Sequence, residues 1–141
     1  MARRSILNQA GMTLIEIMIV LVIIGGLAAI LGTRVVGQLS KANRQQAIIQ
    51  IKEIGKQLDM FYADCGFYPS TDQGLKALVE ASGDCQNWGP EPYMKNVPKD
   101  PWKTEYIYEQ KSRSSYILMS LGADGQEGGK GNDEDISSEA I

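Results

Sequence analysis

The chain has 141 residues, a formal net charge of −3 and no histidine. This length supports one domain of ordinary size, and the lack of a basic excess argues against a nucleic-acid partner. Without histidine, the sequence lacks the commonest general base and the commonest zinc ligand.

A polar leader with Arg3 and Arg4 precedes a long apolar run, Gly11–Leu31. As a helix, Met12–Leu31 would span about 30 Å, which matches the hydrocarbon thickness of a bilayer. The two arginines place the N-terminal end in the cytoplasm, so the residues after Arg34 would lie on the other side of the membrane. A secretory signal cleaved after the apolar run and a plain single-pass anchor are the alternatives.

One carboxylate, Glu16, interrupts the apolar run. A charged side chain inside a bilayer costs about 2.5 to 3.5 kcal/mol on insertion scales, so it needs a partner. Cleavage between Gly11 and Met12 would create an α-amino group four residues before Glu16, on the same or a neighbouring subunit. That amine would balance the carboxylate, so Glu16 favours a processing site over both alternatives.

The leader, Gly11 and the run Met12–Glu16 resemble the type IV prepilin signature. The resemblance implies that a prepilin peptidase cuts after Gly11 and methylates the new N-terminus at Met12, and that Glu16 guides helix stacking in a filament. Met12 stands where the family usually has phenylalanine. The implied organisation is a leader over 1–11, a transmembrane and filament-core helix over 12–33, and a periplasmic domain over 34–141.

The helical pattern continues beyond the apolar run, because no proline occurs before Pro69. Spacings of three and four residues predict one buried stripe, formed by Ile48, Ile51, Ile54 or Gly55, Leu58, Phe61 and Tyr62. The predicted exposed face holds Arg44, Lys52, Glu53, Lys56 and Asp59. One helix from about Met12 to Ala63 is therefore expected to serve as anchor and as spine of the domain.

Shorter elements are predicted after Pro69, which ends the long helix. Ser70–Asp72 would cap a short amphipathic helix carrying Leu75, Leu78 and Val79. The segment Val97–Trp102 has the composition of a rigid turn. Two strand-like runs, Glu105–Glu109 and Ser115–Leu121, then predict an antiparallel hairpin that covers the long helix.

Two cysteines, Cys65 and Cys85, lie twenty positions apart without a CxxC spacing. If the domain lies outside the cytoplasm, a disulfide is the simpler interpretation. It would stabilise the fold by about 3 kcal/mol in the chain-entropy account. Two unrelated buried thiols are the alternative.

The segment Ser120–Ile136 is rich in acids, glycine and asparagine. Calcium prefers several oxygen ligands and binds well to flexible loops that mix carboxylates with backbone carbonyls. The acids do not follow EF-hand spacing. A solvated acidic tail is the alternative.

Several blocks in order resemble the major pseudopilin family, the G subunit, of bacterial type II secretion: YPSTDQGLKALV, VPKDPW with the following Tyr106, and SLGADG with the later DEDI. The resemblance runs from the leader to Ile136. It implies an α+β, type IV pilin-like fold in which a long N-terminal α-helix packs on a short helix and a small antiparallel β-sheet, with a C-terminal ion-binding loop. Thr33, where the family often has proline, and the cysteine pair depart from the family pattern.

The same resemblance implies one structural calcium ion in the C-terminal loop. The implied ligands are the Leu121 carbonyl and Asp124, then Asp135 with Asp133 or Glu134 beside it. The stretch Gln126–Gly131 looks longer than is usual for the family.

The function implied is that of a major structural subunit of the periplasmic pseudopilus, without catalytic activity. The implied partners are further copies of the chain, minor pseudopilins, the prepilin peptidase and the inner-membrane assembly platform. The filament would drive export of folded proteins through the outer membrane. A type IV pilin for adhesion or motility is the first alternative. A membrane-tethered hydrolase is the second, although the sequence has no Ser-x-x-Lys pattern and no nucleophile elbow.

Overall fold

The computed structural model describes residues 11–81 and 83–141, with the side chains of 31–35 excepted. A long helix, α1, spans Leu14–Cys65 and is followed by a short 3-10 helix over Gly74–Leu78. Three strands complete the fold: β1 over Ile107–Ser112, β2 over Ser115–Ser120 and β3 over Ile136–Ser137. The predicted α+β fold is confirmed, while the leader residues Arg3 and Arg4 lie outside the described residues.

The start of α1 is fixed by Thr13. Its hydroxyl accepts a hydrogen bond from the backbone N–H of Glu16 at 3.3 Å. Its carbonyl accepts from the N–H groups of Glu16 at 3.1 Å and Ile17 at 3.2 Å. Thr13 is therefore the N-cap of the helix, and the predicted start at Met12 is slightly early.

The chain divides into two units, one ending at Gln38 and the other formed by Leu39–Ile141. In the first unit, the large apolar side chains from Met12 to Ile30 are between 41% and 78% exposed. Over the described part of the chain, no helix offers an apolar stretch of the length needed to traverse a membrane.

The core of the second unit, called the globular unit below, is built on one stripe of α1. Its buried members are Ala47, Ile51, Ile54, Leu58 and Phe61. These positions alternate spacings of four and three residues, which keeps them on one line of a helix with 3.6 residues per turn. The predicted stripe is thus confirmed at four positions, whereas Ile48 is half-buried and Tyr62 is exposed because each lies one residue beside this line.

The sheet has the order β1-β2-β3, and both pairings are antiparallel. Tyr108 of β1 faces Leu118 of β2, and Ile136 of β3 pairs with Ser120. Tyr108, Leu118 and Ile136 are buried and join the core formed by α1. The predicted hairpin is confirmed, although β1 begins at Ile107.

The 3-10 helix takes the place of the predicted amphipathic helix and buries Leu75, Ala77 and Leu78. The predicted cap residue Ser70 forms a reciprocal pair with Gln73. The Ser70 N–H donates to Gln73 Oε1 at 3.1 Å, and the Gln73 N–H donates to Ser70 Oγ at 3.3 Å. This pairing fixes the turn that follows Pro69.

Candidate processing site and C-terminal loop

The predicted cleavage position lies in a non-helical segment just ahead of α1. Met12 is 63% exposed, and a Cβ atom added to Gly11 would meet no atom of the described residues within 4 Å. Packing within the described residues therefore does not require glycine at position 11. A requirement for glycine there would have to come from an enzyme that accommodates this peptide bond in its active site.

Glu16 lies in the first turn of α1, where its negative charge faces the positive end of the helix dipole. Thr13 and Glu16 have the spacing of a capping box, and the Thr13 half of that box is formed. Among the described residues, the Glu16 carboxylate has no ion-pair partner. The helix start thus offsets part of the cost of this charge and leaves the carboxylate available.

The predicted disulfide is present between Cys65, the last residue of α1, and Cys85, with 5.3 Å between the two Cα atoms. It fixes a long irregular segment to the end of the helix. Trp88 supports the same segment, because its Nε1–H donates to the Ala77 carbonyl at 2.9 Å. The Tyr93 hydroxyl donates to the Asp64 carboxylate at 2.7 Å. The irregular segment is therefore held by covalent and polar contacts.

The acidic loop connects β2 to β3 and folds back on itself. The Ala123 N–H donates to the Asn132 carbonyl at 3.0 Å, which closes the two limbs. Gly122 and Gly129 have φ values of +69° and +81°, and both pack against the backbone of Asp133. A Cβ atom at Gly129 would collide with the Asp133 carbonyl. These contacts and the positive φ values explain why glycine occupies positions 122 and 129.

The loop places its acids in different environments. The Asp135 Oδ2 atom accepts a hydrogen bond from the Gly128 N–H at 2.9 Å. The Asp135 Oδ1 atom is buried and has no hydrogen-bond partner among the described residues. Asp124 is exposed and accepts from the Gln126 N–H at 3.0 Å, and Asp133 is also exposed.

Glu134, by contrast, has a cationic partner. Its Oε2 atom lies 3.1 Å from NH2 of Arg44. The Arg44 NH1 group also donates to the carbonyls of Glu134 at 3.1 Å and Gly131 at 3.4 Å. Arg44 is half-buried, so its predicted place on the freely exposed face of α1 is wrong.

The burial and the hydrogen bonds of each carboxylate indicate which acids of the loop could bind a cation. Within the described residues, no group of three or more His, Cys, Asp or Glu side chains is positioned to hold a metal ion. A buried carboxylate oxygen without a partner is costly, and a cation beside it would remove that cost. Asp135 is therefore the acid of the loop that best suits a cation, whereas Glu134 already pairs with Arg44. Leu121, the first residue after β2, is half-buried.

Asp100 is a structural centre, whereas the sequence predicted only a rigid turn over Val97–Trp102. Its side chain is buried and accepts hydrogen bonds from the N–H groups of Trp102 and Thr104 and from the Ser120 hydroxyl. It thereby joins the turn after Val97 to the end of β2, from which the acidic loop departs. An aspartate before a Pro-Trp pair is a signal for such a turn.

Two buried tyrosines connect the sheet region to the rest of the unit. The Tyr106 hydroxyl donates to Gln50 of α1 at 2.6 Å, and the Tyr108 hydroxyl donates to the Pro69 carbonyl at 2.8 Å. Burial raises the pKa of both phenols above the ordinary value, and the charge of Asp100 adds to the effect at Tyr106.

Comparisons with known proteins agree with this architecture. Residues 34–139 match the family described as "Type II secretion system (T2SS), protein G". Residues 6–32 match the "Prokaryotic N-terminal methylation motif". The second range contains the predicted cleavage position and Glu16, and it ends just before the first begins.

Full-length relatives are similar over most of both chains. The type II secretion system core protein G of Pseudomonas aeruginosa is 46% identical, covering 92% of this chain and 94% of its own length. The corresponding protein of Vibrio cholerae is 42% identical, covering 92% and 90%.

Among solved structures, the major pseudopilin from the type 2 secretion system of enterohaemorrhagic Escherichia coli superposes with a TM-score of 0.64 at 29% identity. The superposition covers 75% of this chain and 94% of the Escherichia coli pseudopilin chain. The chain belongs to the type II secretion system protein G family and is a subunit of the pseudopilus.

Proposed function

We propose that this chain is the major subunit of a periplasmic pseudopilus that drives folded proteins through the outer membrane. The observation that carries the proposal is the succession, in one chain, of a methylation motif over 6–32 and the protein G domain over 34–139. The subunit would wait in the inner membrane with its N-terminus in the cytoplasm. It would then polymerise with copies of itself and with minor pseudopilins on the inner-membrane assembly platform.

Processing is the first step of the proposed mechanism. Prepilin peptidase would cleave the accessible peptide bond between Gly11 and Met12 and methylate the new N-terminus. The new α-amino group would lie one helical turn from Glu16, and it or the same group of a neighbouring subunit would balance the carboxylate. The pairing would set the axial register between stacked helices, and the exposed apolar side chains of this segment would supply their contact surface.

Calcium is the proposed structural cofactor of the acidic loop. Asp135 is the first ligand, since its Oδ1 atom is buried and lacks a partner among the described residues. Asp124, the Leu121 carbonyl and the exposed Asp133 complete the proposed set. When bound, the ion supplies a positive charge that offsets repulsion between these carboxylates and holds the loop on the globular unit. Glu134 is the least suitable ligand because Arg44 already binds it.

Deleting the gene in its host and measuring secretion tests the proposed function. We expect exported enzymes to accumulate, folded, in the periplasm, and plasmid-borne wild-type chain to restore export. The alternative of a type IV pilin predicts the opposite pattern, with lost surface fibres or motility and unchanged secretion. Unchanged secretion would overturn the proposal.

A calcium titration tests the cofactor separately. We expect calcium to raise the melting temperature of the wild-type chain in mild detergent, and chelation to reverse the change. Asp135→Asn should remove most of the response, since it takes one negative charge from the ligand set, and calcium affinity depends on the ligand charge. Asp72→Asn is the matched control, because Asp72 is an exposed carboxylate outside the loop. An unchanged melting temperature in wild type would favour a solvated acidic loop.

A further inference from the structure

The C-terminal loop contacts α1 ahead of the point where the hydrophobic core begins. Among the described side chains of α1, Ala47 is the first that is buried in the core. Arg44 lies one turn earlier, and Ser40 lies one turn before Arg44. Both residues are held by the loop, and the stretch between them is otherwise mostly exposed.

Three contacts of Arg44 converge on one limb of the loop, residues 131–134. Its guanidinium group reaches the Gly131 carbonyl, the Glu134 carbonyl and the Glu134 carboxylate, at 3.4, 3.1 and 3.1 Å. A planar guanidinium group suits this arrangement, because it presents several donors in a fixed geometry. An ammonium group on a lysine would satisfy fewer of these acceptors.

A fourth contact ties the same limb to the preceding helical turn. The Asn132 side-chain amide donates to the Ser40 hydroxyl at 2.9 Å. The limb therefore contacts two successive turns of α1 at positions separated by one helical repeat. Among the described residues, the buried core of α1 begins only at Ala47, so beyond the helix's own backbone hydrogen bonds these polar contacts are what orders the two turns.

We propose that Arg44 is a positioning residue that clamps residues 131–134 onto α1 and thereby orders the helix back to Ser40. The Arg44 guanidinium group thus gives the loop a positive charge at residues 131–134, next to the Glu134 carboxylate and not at Asp135. It acts with or without a bound ion. The segment that leads into β3 is thus held at two points, by Arg44 at Gly131 and Glu134 and by Asp135 at the Gly128 N–H.

The clamp should also affect calcium affinity, an inference that rests on the calcium site proposed above. An ion that binds a loop already held by Arg44 has less disorder to remove on binding, so its affinity is higher. Loss of the clamp should therefore weaken calcium binding by the factor by which it lowers the fraction of molecules whose loop is in the binding conformation. Because residues 131–134 contact α1, calcium binding in the loop would also order residues 40–46 of the helix.

Hydrogen exchange on the full chain in mild detergent, with chelator present, tests the clamp directly. In Arg44→Met we expect amide exchange about twofold to fivefold faster than in wild type, over both residues 40–46 and residues 129–135. Arg44→Lys should recover part of the protection. Lys41→Met is the matched control, because it removes the same charge from the same stretch, where Lys41 is exposed. It should leave the loop unchanged.

Asn132→Ala provides a second test from the loop side and should accelerate exchange near residue 40 more than within the loop. Emission from Trp88 and Trp102 shows whether each variant remains folded. Faster exchange in the loop alone, or unchanged exchange in both segments of Arg44→Met, would overturn the proposal.

The calcium arm separates the clamp from the calcium site. We expect calcium to protect both segments in wild type and only the loop in Arg44→Met, with an affinity lowered about twofold to fivefold. If calcium protects neither segment in wild type, the calcium site is wrong and the chelator experiment still decides the clamp. Equal protection of residues 40–46 in both proteins would overturn the coupling.

Discussion

Asp100→Ala is expected to lower the free energy of unfolding of the globular unit by about 3 kcal/mol. The Asp100 side chain is only 4% exposed. Its Oδ1 atom accepts from the Trp102 N–H at 3.1 Å and the Thr104 N–H at 2.8 Å, and its Oδ2 atom accepts from the Ser120 hydroxyl at 2.7 Å. Alanine leaves three donors without their acceptor. Each buried, unsatisfied donor costs about 1 to 3 kcal/mol, and the half-buried Trp102 and Thr104 regain part of this from water.

Urea denaturation followed by tryptophan emission measures this loss. Both tryptophans, Trp88 and Trp102, lie in the globular unit, so the signal reports that unit within the full chain. With an m-value of about 1.5 kcal/mol per molar urea, the midpoint should fall by about 2 M. Asp72→Ala, which removes an exposed carboxylate, should stay within about 0.5 kcal/mol of wild type.

Asp100→Asn separates hydrogen bonding from charge. The asparagine carbonyl keeps the two backbone donors, and its amide group reaches the Ser120 oxygen as a donor, so the loss should be smaller than for alanine. A midpoint for Asp100→Ala equal to that of Asp72→Ala would refute the assignment of Asp100 as a structural centre.

Three further predictions follow from the processing site, the disulfide and the buried phenols. Gly11→Val should block cleavage and leave a precursor that is heavier than the mature chain by about 1.2 kDa. This is the mass of eleven residues at the mean residue mass of a 15.5 kDa chain of 141 residues. Equal mobility of the variant and the wild type on a gel would refute cleavage there. The double variant Cys65→Ser/Cys85→Ser should lose about 3 kcal/mol of stability, measured by urea denaturation, and a loss below about 1 kcal/mol would show that polar contacts suffice to hold the segment. Because folding raises the pKa of Tyr106 and Tyr108 above 10.0, the unfolded chain loses these protons first, so stability should fall as pH rises above 10.0. Tyr106→Phe should flatten that decline in a base titration, and an unchanged slope would contradict the assignment.

Sequence periodicity predicted the parts of the fold that depend on a regular spacing of apolar residues. The α1 stripe and the β1–β2 hairpin belong to this class, because each repeats its pattern over several turns or residues. β3 escaped prediction because its two residues are too few to show any alternation. The predicted short helix is a 3-10 helix in the structure. The three-residue spacing of Leu75 and Leu78 suits both an α-helix and a 3-10 helix, so the sequence did not distinguish them.

The roles of Arg44 and Asp100 depend on contacts between residues far apart in sequence. Arg44 follows the helical pattern of a solvated position, and only the return of the acidic loop, some 90 residues later, gives it acceptors. Glu134 and Asp135 are neighbours in sequence with similar chemistry. Their difference arises because one carboxylate turns to α1 and the other turns into the loop.

Polymerisation of the processed chain into the pseudopilus can be tested on filaments themselves. Filaments should be sheared or extracted from cells, imaged, and analysed by mass spectrometry of the N-terminal peptide, for wild type and for Glu16→Ala. We expect wild-type filaments built from chains that begin at N-methylated Met12, while the Glu16→Ala chain is processed but remains in the membrane. Filaments that lack this chain, or that contain it with residues 1–11 still attached, would show that it does not polymerise after processing.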